Sequence, residues 1–116
     1  MPVRSWTSSV LKWPDAPTVR EALRRWAETV RRPDVLGIGY CGSYSRGDWG
    51  VGSDLDVVIL LERTELPPER RAAEWDLTDL PVPVDVLVYS PEEWERLPRR
   101  LREETVWVYR RDVRHS

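Results

Sequence analysis

The chain has 116 residues, 41% of them hydrophobic and 33% charged, with a formal net charge of −2; this excludes a disordered chain and argues against a dedicated nucleic-acid binder, which would be basic. A single cysteine, Cys41, excludes an internal disulfide and any cysteine metal cluster. No apolar run approaches the ~20 residues that cross a bilayer, and no secretory h-region opens the chain, so the expected setting is the cytoplasm, with no membrane partner.

One domain is expected over residues 1–116, with its core over 18–110. Residues 1–16 lack a clear period and read as a loose arm or an edge strand. Thr18 and Glu21 form a capping-box pattern, and Val19, Ala22, Leu23, Trp26, Ala27 and Val30 recur at helical spacing, which predicts a helix over 19–31 ended by Pro33. VLGIGYC (35–41) reads as a buried strand, and residues 42–53, with four glycines, as a turn, a short helix and a loop. LDVVILL (55–61) is a β-branched apolar run, hence a central strand. A short helix is predicted within 65–80, after Pro67-Pro68, and a strand over 82–89. Ser90 caps a further helix, with Pro91 first and Glu92 and Glu93 in its opening turn, running towards Arg102 with a break at Pro98. TVWVYR (105–110) alternates as a last edge strand. This order predicts an α+β fold, a two-layer domain with helices packed against one sheet. Seven tryptophans and no phenylalanine suggest that tryptophan takes over as the large core filler, with some copies facing a ligand or partner.

The chemistry is concentrated in Gly42-Ser43, then ten residues, then Asp54-Leu55-Asp56. Two aspartates two apart on a strand project to one face, where their charges repel unless a cation lies between them. Hard carboxylate oxygens at this spacing suit Mg2+, which takes one or two carboxylates together with phosphate oxygens and water. Gly42 allows close backbone approach to a ligand, and Ser43 offers a hydroxyl and an amide at the start of a helix, where phosphate binds. Arg46 lies one turn on, within reach of a phosphate oxygen, and Gly47 lets the chain turn away. Asp85, inside the apolar run VPVDVLVY, needs a partner. If its strand lies beside that of Asp54 and Asp56, three carboxylates converge and can hold two Mg2+ ions for attack at an α-phosphate with release of pyrophosphate, Asp85 helping to take the proton.

GSYSRGDWGVGSDLDVVIL resembles the signature of the minimal nucleotidyltransferases, a branch of the DNA polymerase β-like nucleotidyltransferase superfamily. Gly42, Ser43, Arg46, Gly47, Ser53, Asp54, Asp56 and Asp85 meet its pattern of Gly-Ser, a spacer with Arg-Gly, Ser-Asp-x-Asp and a later lone Asp. The resemblance implies a mixed sheet with core strands in the order 1-2-3. It implies a nucleoside triphosphate, ATP foremost, and Mg2+ as ligands. Gly42, Ser43, Arg46 and Ser53 would bind the nucleotide, and Asp54, Asp56 and Asp85 would hold metal and carry catalysis. It also implies a small helical HEPN protein as partner in a toxin–antitoxin pair, some members transferring AMP to a tyrosine of that partner. Larger relatives carry extra domains that bind the acceptor; this chain has none, so the acceptor is expected on a partner. The alternative is a non-catalytic antitoxin subunit that acts by contact; a small-molecule nucleotidyltransferase is a third reading.

Each residue also has a plainer reading. Asp54 and Asp56 could be solvated carboxylates at a strand start, Asp85 an edge-strand surface residue, Ser43 a helix cap and Arg46 one exposed arginine among many. Asp48 reads as a loop carboxylate, Trp49 as a stacking surface for a base or a packing residue, and Cys41 as strand-end packing. Arg99, Arg100 and Arg102 read as a solvated helix face, and His115 as part of a disordered tail.

Overall fold

The computed structural model describes residues 16–30, 32–47 and 54–111. Their elements are α1 (Ala16–Thr29), β1 (Val35–Cys41), α2 (Ser43–Arg46), β2 (Leu55–Leu61), α3 (Pro68–Arg71), a 3-10 turn (Ala72–Glu74), β3 (Val84–Tyr89), α4 (Pro91–Arg96), α5 (Arg99–Glu104) and β4 (Val106–Arg110). The expected arm over 1–16 and the tail with His115 lie outside the described residues, apart from Ala16, which opens α1. Asp48, Trp49 and Ser53 also lie outside them.

The four strands form one mixed sheet in the order β3-β2-β1-β4, with β1 antiparallel to β2 and β4, and β2 parallel to β3. The expected core order 1-2-3 and the α+β class both hold. Alternation along the strands divides the sheet into two faces. Leu55, Val57, Ile59 and Leu61 of β2, with Ile38 and Tyr40 of β1 and Val88 of β3, meet Val19, Leu23 and Ala27 of α1 in the main core. The intervening residues of β2 are Asp56, then the buried Val58 and Leu60, so Asp56 belongs to the second face.

On that second face β1 carries Gly39 opposite Trp107 of β4. A Cβ on Gly39 would lie 2.5 Å from the Val106 carbonyl oxygen and 3.0 Å from the indole, so glycine is what lets β4 and its tryptophan close onto β1. Trp107 in turn meets Trp94 edge-on at 5.3 Å between ring centroids, and Arg110 lies over its ring. Trp26 and Trp75 form a second edge-on pair at 6.3 Å, and the Trp26 indole N–H donates to the Asp76 carbonyl oxygen at 2.9 Å. The four described tryptophans thus tie elements together from half-buried positions.

Several element boundaries differ from the sequence reading. Helix α1 begins at Ala16 and ends at Thr29, so Thr18 lies inside it and the Thr18–Glu21 capping box is replaced. Pro17, at the second helical position, is preset for a first turn and starts the helix early. Glu21 instead accepts from Arg24 and Arg25. Only Pro68–Arg71 and a 3-10 turn form within 65–80, because Trp75 becomes extended and Leu77 and Leu80 enter the core from irregular backbone. Strand β3 starts at Val84 rather than Val82; Pro83 has no N–H for the ladder but its carbonyl accepts from Leu55 N at 2.9 Å. The expected break at Pro98 separates α4 from α5, and the Ser90–Glu93 capping box forms in full. Thr105 precedes β4 instead of starting it, its hydroxyl donating to the Leu101 carbonyl oxygen at 3.0 Å.

Candidate active site

The parallel β2–β3 ladder makes Asp56 and Asp85 direct partners, and the antiparallel β1–β2 ladder makes Asp56 the partner of Cys41. Three neighbouring strands therefore present Cys41, Asp56 and Asp85 in a row at one end of the second face. Asp54 lies just ahead of β2 and is exposed, as is Asp85, whereas Asp56 is half-buried. Burial, then the charges of Asp85 and Asp54, raise the Asp56 carboxyl above the ordinary aspartate range; Arg46 opposes this and Glu104 adds to it. The Cys41 thiol is pushed up to about 11 by burial first and then by Asp56 and Glu104, which keeps it neutral and fits its place as packing at a strand end.

The chain leaves β1 through Gly42, whose φ of 82° lies in the left-handed region. A Cβ on Gly42 would lie 2.4 Å from Asp56 Oδ2, so the turn is pressed directly against that carboxylate. The Gly42 carbonyl oxygen accepts from Ser45 N and Arg46 N, both at 3.0 Å, and from the Ser45 hydroxyl at 3.1 Å, which winds the four-residue α2 that Ser43 opens. Gly47, with φ 84° and no neighbour at its Cβ position, turns the chain out of α2.

A further carboxylate joins this turn. Glu104, the last residue of α5, accepts from the Gly42 N–H at 3.2 Å and from Arg46 Nη1 at 3.5 Å through the same oxygen, Oε2. Sequence reasoning missed Glu104 because it ends a charged run, RRLREE, that looks like an ordinary solvated helix. Only the placement of β4 beside β1 brings it to residue 42. Of the neighbouring basic run, Arg99 and Arg100 are exposed, Arg99 pairing with Glu103, whereas Arg102 is half-buried and donates to the Leu97 carbonyl oxygen at 3.2 Å.

The structure thus brings Gly42, Arg46, Asp54, Asp56 and Asp85 to one end of the sheet, with Ser43 next to Gly42 in the chain; Ser53 lies outside the described residues. Among the described residues no three His, Cys, Asp or Glu side chains close into a ready-made metal cage. Mg2+ does not need one, since it takes one or two carboxylates plus substrate oxygens and water. The donor set fits such an ion: all three side chains offer hard oxygen, and the raised Asp56 carboxyl marks negative charge that a cation would relieve. A cleft of about 480 Å³ runs along β3 between Trp75, Leu77, Leu80 and Val82 and includes Asp85. Another, of about 650 Å³ between α1 and β4, has none of the site residues in its lining.

Residues 19–108 match the nucleotidyltransferase domain family, and the chain belongs to that family. Among solved structures it is similar to a protein of Sulfolobus solfataricus assigned as a nucleotidyltransferase, at 20% identity and a TM-score of 0.56, covering 84% of this chain and 82% of that one. At that identity the likeness establishes the fold. No curated protein matches the sequence. Among the described residues no helix is long and apolar enough to cross a membrane.

Proposed function

We propose that this nucleotidyltransferase-family chain is an active Mg2+-dependent enzyme that transfers a nucleoside monophosphate, AMP from ATP, to a hydroxyl of a partner protein of the HEPN type. The observation that carries the reading is the alignment of Asp56 with Asp85 across β2 and β3, with the Gly42 turn pressed against Asp56. Carboxylates held this way are unfavourable on their own and become favourable around a divalent cation.

In this reading Asp54, Asp56 and Asp85 hold one or two Mg2+ ions. Bound metal neutralises the triphosphate and lowers the pKa of the attacking hydroxyl. The Gly42 amide, Ser43, Arg46 and Ser53 grip phosphate oxygens and align the α-phosphate for in-line attack. The acceptor oxygen bonds to the α-phosphorus, the bond to the bridging oxygen breaks, pyrophosphate leaves, and Asp85 takes the acceptor's proton. The HEPN-type acceptor rests on the sequence resemblance. A lone buried cysteine suits a reducing cytoplasm.

The test is to incubate the protein with host lysate, Mg2+ and ATP labelled at the α-phosphate, beside an Asp54→Asn/Asp56→Asn control and a γ-labelled arm. A protein band labelled only by wild type and only from the α-position is the expected result. Equal labelling by the double variant would remove the catalytic assignment. Intact protection against the partner by that variant would favour action by contact alone.

A further inference from the structure

Two of the groups expected to receive phosphate, the Gly42 amide and the Arg46 guanidinium, donate to one oxygen of Glu104. We propose that Glu104 is a built-in competitor for the nucleotide: its carboxylate stands on the phosphate donors of the free protein and must leave them when a triphosphate arrives. This rests on the nucleotidyltransferase reading above and adds a residue that sets nucleotide affinity.

Valence and charge set Glu104 and a phosphate in competition. An amide N–H has one proton to give, so the Gly42 donor cannot fully serve Glu104 and a phosphate oxygen together. Holding the Glu104 carboxylate beside a triphosphate, near Asp54, Asp56 and Asp85, also adds like-charge repulsion. Release is mechanically simple. Glu104 is the last residue of α5 and its Arg46 contact is long and partly exposed, at 3.5 Å with side-chain exposures of 46% and 19%, so a rotamer change suffices without moving α5 or β4. In exchange, the occupied donor keeps the Gly42 turn ordered and disfavours weak or singly charged anions, which cannot displace a tethered carboxylate. A multiply charged phosphate chain with its metal can.

The experiment is a calorimetric titration of Mg·ATP into wild type, Glu104→Gln and Glu104→Asp, with melting temperatures as a fold control. Glutamine removes the charge; aspartate keeps it on an arm one methylene too short to reach Gly42. Both variants are expected to bind Mg·ATP about three- to tenfold more tightly, the range set by the net worth of one ordinary hydrogen bond. Tightening in Gln with wild-type affinity in Asp would mean simple charge repulsion and would overturn the proposal, as would unchanged or weaker binding in both. A second readout uses the unaltered chain: the Gly42 amide proton and the Glu104 side-chain carboxyl carbon should both shift in NMR spectra on adding Mg·ATP. A Glu104 carboxyl resonance that stays put at saturation also overturns it. If wild type and both variants bind no Mg·ATP, the nucleotidyltransferase reading itself falls; if wild type binds and the variants do not tighten, only the role of Glu104 falls.

Discussion

Gly42 and Asp56 are so close that a single added carbon would collide: a Cβ on residue 42 would sit 2.4 Å from Asp56 Oδ2. The backbone turn is therefore packed closely against the central carboxylate, with no room between them for a side chain. Gly42→Ala would force both a left-handed φ on an alanine, at a cost of about 1–2 kcal/mol, and a displacement of Asp56. On the proposed function, nucleotide transfer should fall by at least about tenfold, since displacing a carboxylate that would hold the metal by even part of an ångström is costly, and the melting temperature should fall by several degrees. Steady-state labelling and calorimetry on the same preparation check both parts.

Asp56 predicts a trade between stability and activity. Its carboxyl is held above the ordinary range by burial, Asp85 and Asp54, so the folded state binds its proton more tightly than the unfolded state does. The sign follows. As pH rises from the ordinary aspartate value, about 3.9, through the higher folded value, ionising Asp56 costs the folded protein stability. Without metal, Asp56→Asn should melt higher than wild type at neutral pH, and the gap should close as the pH is lowered below that window. Mg2+ with ATP should stabilise wild type and leave the variant unmoved. A variant that melts lower than wild type at neutral pH would contradict the electrostatic account.

Arg71 clamps the second side of the fold. Buried beneath α4, it donates to the Leu66 carbonyl oxygen at 2.7 Å, to the Val88 carbonyl oxygen at 3.0 Å and to both Glu93 oxygens at 2.8 and 3.1 Å. Arg71→Ala removes these bonds, leaving Glu93 only its Ser90 backbone N–H, and should cost about 2–3 kcal/mol, below the ~3–5 kcal/mol of a fully buried pair because Glu93 is partly screened by solvent. The Arg71 hydrogen bond, then the Ser90 backbone N–H, lower the Glu93 carboxyl. Its stabilisation is therefore present above the ordinary glutamate range and lost as pH falls through the lowered value. Urea unfolding of wild type and Arg71→Ala between pH 7 and pH 3 should show the gap narrowing in acid.

The two glycines of β1 should respond differently to alanine. At Gly39 the Cβ would meet a backbone oxygen of β4 at 2.5 Å, which cannot yield without opening the β1–β4 ladder. At Gly37 the nearest atom, at 2.9 Å, belongs to the flexible Arg110 side chain. Gly39→Ala should cost about 2–3 kcal/mol, within the overpacking range, and Gly37→Ala clearly less. Denaturant midpoints decide the order; equal costs would mean that Trp107, which also lies near both positions, sets the penalty instead.

What the sequence determined by itself is what short-range chemistry encodes. The β-branched run Leu55–Leu61 and the run Val35–Cys41 became strands with the expected ends, and Ser90 with Glu93 formed the cap their spacing announces, because propensity and capping act within a few residues. The Gly-Ser and Asp-x-Asp spacing carried the nucleotidyltransferase family in the same way. The tertiary structure alone decided which strands lie side by side. The register aligning Asp85 with Asp56, the approach of Glu104 to Gly42, the seat of Trp107 over the β1 glycines and the inward turn of Arg71 join residues far apart in the chain. Such contacts leave no local period to read. They arise because burying both faces of one sheet forces distant segments together, and the carboxylates and donors at the sheet's end are carried along with the strands that hold them.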